Sequence, residues 1–386
     1  MTAPSAVPAC PPEERLAWLV LSRAAGARER RCQRLVEAFG TAEAALTAGP
    51  LSWEPVIGRA AVNGARIAPE LWDWAEGEVA AVAGLAGRVL TLADPGYPPL
   101  LRQIPVPPPV LYVVGAVGFD RPAVAVVGPR AATEYGRRVA RLLAHELAAA
   151  GVCVVSGMAV GVDTAAHLGA LEAGGQTLAV LGCGVDVGYP AKADELRRRI
   201  PVQGALLSEF ALGTGPEPGA FPRRNRIISG LCRGVVVVET PERSGALNTV
   251  SHALEQGREV MAVPGSVLDG RSRGCHSLLR QGAVLVEDAG DVLRHLDLVP
   301  DPVPDGEPSL DEEEAGDDEE GTGAREIRRL LGREPRQIDD LAADAGRPAS
   351  ELLAALLDLE LSGKVSQLPG KWFVRSGPRS PVTTAR

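Results

Sequence analysis

The sequence predicts an α/β protein with a Rossmann-like parallel sheet core, an N-terminal helical (SAM-like, helix-hairpin) domain and a C-terminal winged helix. Three observations carry this. Short apolar runs alternate with helical stretches from residue 123 onward; short amphipathic helices fill residues 13–80; and an acidic Pro/Gly-rich stretch sets the last segment apart. The expected division is residues 1–90, a proline-rich connector 91–122, a sheet domain 123–300, a disordered linker 301–323, a winged helix 324–375 and a tail 376–386.

The helical expectation near the N-terminus rests on Leu16, Leu19 and Val20 on one apolar face and Leu35, Val36 and Phe39 on another. Thr41 is a candidate N-cap for Ala42–Leu46. Eight prolines between residues 94 and 122 predict a rigid, extended connector lying on the next domain. The expected strands are Ala123–Val127, Cys153–Ser156, Thr177–Leu181, Ala205–Ser208, Val235–Glu239, Val260–Val263 and Val284–Val286. They are nearly continuous in apolar residues, as strands buried on both faces are. Helical stretches such as Tyr135–Ala150, Asp163–Ala173 and Ala246–Gln256 lie between them, and such repeated βα units make a parallel sheet covered on both sides. Near the C-terminus, Arg325–Leu331, Gln337–Asp344 and Ala349–Leu361 read as helices. The strand-like pieces Val365–Leu368 and Lys371–Val374 flank a turn.

The net charge of −9 is unevenly spread: residues 301–323 hold eleven carboxylates and no Lys or Arg, and the remainder carries +2. Residues 221–280 hold nine Arg against five Asp or Glu. Positive charge is thus concentrated where it would steer a polyanion. Aromatics are 4% of the chain, which argues against stacking on many exposed rings as the main binding mode. The six cysteines show no close metal spacing and read as reduced, small apolar residues. No signal peptide, membrane-length apolar run or P-loop is present, so a soluble cytoplasmic chain without metal or cofactor is expected.

The densest chemistry lies in Phe221-Pro222-Arg223-Arg224-Asn225-Arg226, just before an apolar helix-like turn. Guanidinium groups are costly to bury unpaired, so these should meet water, carboxylates or an anion. A polyanion site and an arginine face paired with nearby glutamates both remain open. Gly128-Pro129-Arg130 follows the first expected strand, where ligands of open parallel sheets sit. Ser156-Gly157 through Asp163 repeats that arrangement, with glycines that let another backbone approach. Asp163 and His167 share a helix face, and the plain reading is an ordered helix start. Ser244-Gly245 follows the strand ending at Glu239; Ser244 is a candidate N-cap that could also hold a phosphate. Arg271 and Arg273 sit in a polar loop after a further strand.

In order and spacing these segments resemble the DNA-processing protein A family (DprA, also called Smf). The match is carried by Val126–Arg130 with Tyr135-Gly136, and by Ser156–Asp163 with Ala166-His167. It continues through Ala179–Gly182 with Tyr189-Pro190, Phe221–Leu231, Glu239 with Ser244-Gly245, and Arg258–Val260 with Val263–Gly265. The resemblance implies a protein that binds single-stranded DNA, loads the RecA recombinase in natural transformation and recombination, and forms a homodimer. It implies a DNA site at Gly128, Arg130, Ser156, Gly157, Arg223, Arg224, Asn225, Arg226, Ser244, Gly245 and Arg273, and no catalytic residue. The chain departs from the family at Pro129, Ala193, Asn248 and His276, where Ser or Thr, Asn, an apolar residue and Asn are usual. The acidic helix Ala349–Gly363 argues against duplex reading by the winged helix. The alternative, a nucleotide-processing hydrolase of the phosphoribohydrolase type, lacks its Pro-Gly-Gly-x-Gly-Thr loop: the chain reads Pro264-Gly265-Ser266-Val267-Leu268 there.

Overall fold

The computed structural model describes residues 10–25, 30–63, 65–115, 117–268, 270–298, 331, 336–361, 365–368 and 372–375. These fall into two units, Met1–Asp301 and Pro302–Arg386, each taken here by itself.

The first unit is built on a nine-stranded sheet. Its strands are β1 (Gly87–Thr91), β2 (Val110–Val114), β3 (Ala123–Val127), β4 (Cys153–Ser156), β5 (Thr177–Val180), β6 (Ala205–Ser208), β7 (Gly234–Val237), β8 (Glu259–Ala262) and β9 (Val284–Leu285). Their order is β1-β2-β6-β5-β4-β3-β7-β8-β9. All pairs from β6 to β9 are parallel, whereas β1–β2 and β2–β6 are antiparallel. The seven strands expected from the sequence are all present. The proline-rich stretch, expected to be a connector, instead supplies β2 and extends the sheet through its pairing with β6. None of its prolines falls within Val110–Val114, which leaves the ladder N–H groups intact.

Alternate strand residues serve opposite faces, which explains the unbroken apolar runs. Ala123, Ala125 and Val127 pack under α10 (Ala220–Gly230), α11 (Ala246–Glu255) and α12 (Arg273–Arg280). Val124 and Val126 pack under α7 (Glu134–Ala149), α8 (Val162–Glu172) and α13 (Ala289–His295). The N-terminal helices α1 (Pro12–Ala24), α2 (Arg31–Phe39), α3 (Ala42–Ile57) and α5 (Glu70–Gly84) share one apolar core with Val89, Tyr112, Leu181 and Leu206 of the sheet, around the buried Trp18 and Trp53. A short helix, α4 (Arg59–Val62), lies between the last two, α6 (Pro99–Arg102) precedes β2, and α9 (Asp194–Gln203) precedes β6. Thr41 caps α3 as expected, accepting from the Ala44 N–H at 3.0 Å. The Glu14 carboxylate adds a second cap from α1, accepting from the Ala42 and Glu43 N–H groups at 2.8 and 3.2 Å.

The second unit contains α14 (Ile338–Ala345), α15 (Ala349–Leu361) and a three-stranded antiparallel sheet of β10 (Arg336–Gln337), β12 (Trp372–Arg375) and β11 (Val365–Leu368). Ile338, Leu341, Leu352, Leu356 and Phe373 form its core. Helices followed by a hairpin give the winged helix expected from the sequence. The short strand β10, which adds a third strand to the hairpin, is two residues long and carries no sequence signal of its own. The expected helix at 325–331 (apart from Leu331), the acidic linker and the tail lie outside the described residues.

Candidate nucleic-acid interface

The parallel strands wind away from β3 in both directions, so the switch point of the sheet lies between β3 and β7. In open sheets of this kind, ligand crevices form beyond the carboxyl ends at such a point. The loops there carry Gly128–Arg130 after β3, Gly157–Gly161 after β4, Gly182-Cys183 after β5 and Glu239–Gly245 after β7.

A small cavity of about 50 Å³ opens at the ends of β3, β4 and β5, and Arg130, Gly157, Gly182, Tyr189, Phe221 and Arg224 are among its lining residues. Arg130 is exposed, and its Cζ lies 5.1 Å from the centroid of the Phe221 ring. Tyr189 is tilted against the same ring, with centroids 5.5 Å apart. The mouth of the cavity therefore offers a cation held on an aromatic face. No carboxylate pairs with Arg130 among the described residues.

Arg224 is placed very differently. Its side chain is 5% exposed and runs beneath the β4 loop. Nη1 donates to the Gly157 carbonyl at 2.7 Å and to the Val180 carbonyl, so one guanidinium joins the ends of β4 and β5. Nε donates to Asn225 Oδ1 at 3.2 Å, and Asn225 Nδ2 donates to Asn248 Oδ1 at 3.2 Å. Burial pulls the guanidinium down to about 10, with Asp163 opposing that fall, so it stays charged near neutrality. Asp163 lies below the same loop, accepting from the Ala159 N–H at 3.2 Å. Burial pushes its carboxyl up, and the Arg224 charge pulls it back. Gly157 is required here because a Cβ at that position would stand 2.5 Å from Arg224 Nη2.

The other arginines of the motif belong to an ion-pair cluster. Arg226 grips Glu209 with both Nη atoms at 2.8 Å, and Arg223 Nη2 reaches the same carboxylate at 2.7 Å. The Glu209 side chain is fully buried, and those of Arg223 and Arg226 are 32% and 9% exposed. Thus the motif lies within the first turns of α10 rather than ahead of it, and successive positions face different ways. Arg226, expected in the DNA site, is a buried partner of Glu209, because a bidentate guanidinium–carboxylate pair satisfies both charges without a ligand. Arg223 stays half-buried over the Phe210 ring at 5.3 Å.

The remaining expected residues are dispersed. Ser156 is fully buried and donates its hydroxyl to the Val126 carbonyl at 2.7 Å, so it ties β4 to β3. A Cβ on Gly128 would meet Val162 Cγ2 at 2.5 Å, which makes this glycine a packing requirement of α8 against the loop. Ser244 Oγ accepts from the Ala246 N–H at 3.3 Å, at the start of α11, and Gly245 is exposed. Arg273 lines a different, open depression of about 450 Å³ with Pro241, Glu242, Arg243, Leu268 and Gly270. His276 Nε2 is 3.0 Å from the Gly265 carbonyl. Phe221 and Tyr189 stood in motifs noted from the sequence yet outside the expected site; an aromatic directly before an arginine cluster was the available signal.

His167 is structural, as the plain reading held. It is fully buried, and Nδ1 lies 2.7 Å from Thr177 Oγ1, whose own hydroxyl donates to the Val154 carbonyl at 2.7 Å. The hydroxyl therefore accepts from the ring, which fixes the Nδ1–H tautomer and leaves Nε2 without a partner. Burial, and then the Arg224 charge, lower its pKa from 6.5 to about 3. The folded state keeps the ring neutral while the unfolded chain protonates it, so this contribution is complete above pH 6.5 and is lost as pH falls toward 3. Between pH 7 and 5 the chain should lose about 2 kcal/mol of stability from this group. Urea unfolding at both pH values checks it: His167→Gln should flatten the profile, and an unchanged slope would refute the assignment.

Six described cysteines are free and buried, no group of metal-ligating side chains occurs among the described residues, and none of their helices is long and apolar enough to cross a membrane. A Rossmann-like sheet with a cationic loop edge, joined in one chain to a winged helix, defines an α/β protein with a winged-helix module. DNA recombination-mediator protein A matches residues 88–297, the DprA winged helix domain matches residues 311–371, and the chain belongs to the DNA recombination-mediator protein A family. Protein Smf of Escherichia coli is 41% identical over 71% of this chain and 74% of its own length. The structure of DNA processing protein A from Streptococcus pneumoniae superposes with a TM-score of 0.60 at 34% identity, covering 72% of this chain and 97% of that one. DNA processing protein A from Helicobacter pylori, whose single-stranded DNA binding mode was the subject of its structure, gives a TM-score of 0.50 at 29% identity, covering 54% and 96%.

Proposed function

We propose that this chain binds single-stranded DNA at the carboxyl edge of its sheet and passes the coated strand to a RecA recombinase, acting as a homodimer in transformation and recombination. The observation that carries the reading is Arg130, an exposed guanidinium on the Phe221 ring above the Gly157 loop. An exposed guanidinium held in place by an aromatic ring reaches a phosphate, a contact that reads no sequence. Membership of the family and the similarity to the Helicobacter pylori protein support the same ligand.

The role is binding rather than catalysis. The cavity lining offers the Arg130 and Arg224 guanidiniums, aromatic rings and backbone groups, and burial raises the pKa of its one thiol, Cys183. Such a lining can hold a strand, and it supplies no paired nucleophile and base.

The test is fluorescence anisotropy of a labelled single-stranded oligonucleotide across a salt series, with duplex as control. Arg130→Ala should weaken single-strand binding about tenfold, the loss of one charged contact. It should also make the plot of log affinity against log salt shallower by about 0.7. Equal affinity for duplex and single strand, or an Arg130→Ala variant that matches wild type, would overturn the reading.

A further inference from the structure

The cavity beside Arg130 is smaller than one nucleotide, so a bound strand must continue over neighbouring surface. We propose, resting on the single-strand reading above, that the open depression at the carboxyl ends of β7 and β8 is a second strand-binding subsite across the switch point from Arg130.

The depression holds about 450 Å³ and is lined by Pro241, Glu242, Arg243, Leu268, Gly270 and Arg273. Arg243 and Arg273 are exposed, and neither has an ion pair or side-chain hydrogen bond among the described residues. Among the described lining residues, Glu242 sets one carboxylate against these two guanidiniums. Beside them Val267 and Leu268 stand 74% and 93% exposed, two adjacent apolar side chains at the tip of a loop. Cations next to solvent-facing apolar groups match a ligand with regular phosphates and unpaired base or sugar faces. A free phosphate uses only the first of these, and a duplex hides its base faces.

The loop is also joined to the first subsite. Arg271 Nη1 donates to the Ala131 carbonyl at 3.1 Å, directly after Arg130. The Tyr135 hydroxyl, at the start of α7, donates to the Pro264 carbonyl at 2.9 Å. These bonds hold the β3 and β8 loops as one rim, so a strand leaving Arg130 meets Arg243 and Arg273 on a fixed surface. Glu239, buried between them, supports the arrangement by accepting from the Thr133 N–H and hydroxyl at 3.1 and 2.8 Å.

The experiment compares six- and twenty-residue oligodeoxythymidines on the full chain, wild type against Arg243→Ala/Arg273→Ala. Both side chains are exposed, so a melting temperature equal to wild type certifies the fold. For the twenty-mer, the expected result is a tenfold or greater loss and a salt slope shallower by about 1.4, two phosphate contacts' worth. Hexamer affinity should stay within twofold of wild type. Leu268→Ser should weaken the twenty-mer with no change of salt slope. An unchanged twenty-mer, or an equal loss for both lengths, overturns the second subsite while leaving the function standing. A wild type that binds neither oligonucleotide overturns the function and this inference with it.

Discussion

Arg224→Ala should cost the protein about 3–5 kcal/mol of stability, the range for removing one partner of a buried charged network. The guanidinium is 5% exposed and satisfies the carbonyls of Gly157 and Val180. Without it, two strand-end carbonyls lose their donor and Asp163 keeps a buried carboxyl with no cation nearby. Single-strand affinity should fall with the loosened β4 loop. The salt dependence separates this variant from Arg130→Ala: a residue that never meets phosphate releases no counterion, so the slope of the Arg224→Ala variant should equal that of wild type. Urea unfolding and the anisotropy series together decide the point. A shallower slope with undiminished stability would return Arg224 to the ligand. Arg224→Lys should rescue little, since one ammonium lacks the fork that spans both carbonyls.

Glu209→Gln should be nearly as damaging, at about 3 kcal/mol. The side chain has no exposed surface and carries three close contacts from Arg223 and Arg226. The amide keeps the shape but removes the charge, and its N–H₂ group faces guanidinium donors it cannot accept from. Arg226, 9% exposed at its side chain, would then be a nearly buried cation without an anion. Double substitution with Arg226→Met should recover part of the loss, because replacing a buried pair by apolar groups is often neutral. A cost below about 1 kcal/mol for Glu209→Gln would show that solvent reaches the cluster and screens it.

How much of this was legible depends on the length scale of the signal. The parallel strands were readable because the central ones are buried on both faces, which forces unbroken apolar runs such as Ala123–Val127. Strands β1 and β2 were not, since prolines crowd the stretch before β2 and the antiparallel pairing joins residues 19 to 27 positions apart. The arginine motif was conspicuous, yet which of its members meets a ligand could not be read. One turn of helix sends Arg224 to two strand-end carbonyls and Arg223 and Arg226 to a shared carboxylate, Glu209, which lies fourteen and seventeen residues upstream of the two arginines it holds. The placement of Arg130 was legible because a residue just past a central parallel strand has nowhere to go but the crevice.

The hydrogen bonds from the Arg224 guanidinium through the Asn225 amide to the Asn248 amide link α10 to α11. Asn248 lies in the first turn of α11, whose first residues follow the Ser244-Gly245 corner beside Arg243. The guanidinium that clamps β4 to β5 is therefore braced against a helix on the far side of the switch point. Tilting α11 turns the clamp, and the clamp resists the tilt. An apolar residue at 248 would leave the two helices joined by their shared core and the Gln256–Arg226 bond; with Asn248 the clamp itself is tied in, so stiffness gained at either end is felt at the other.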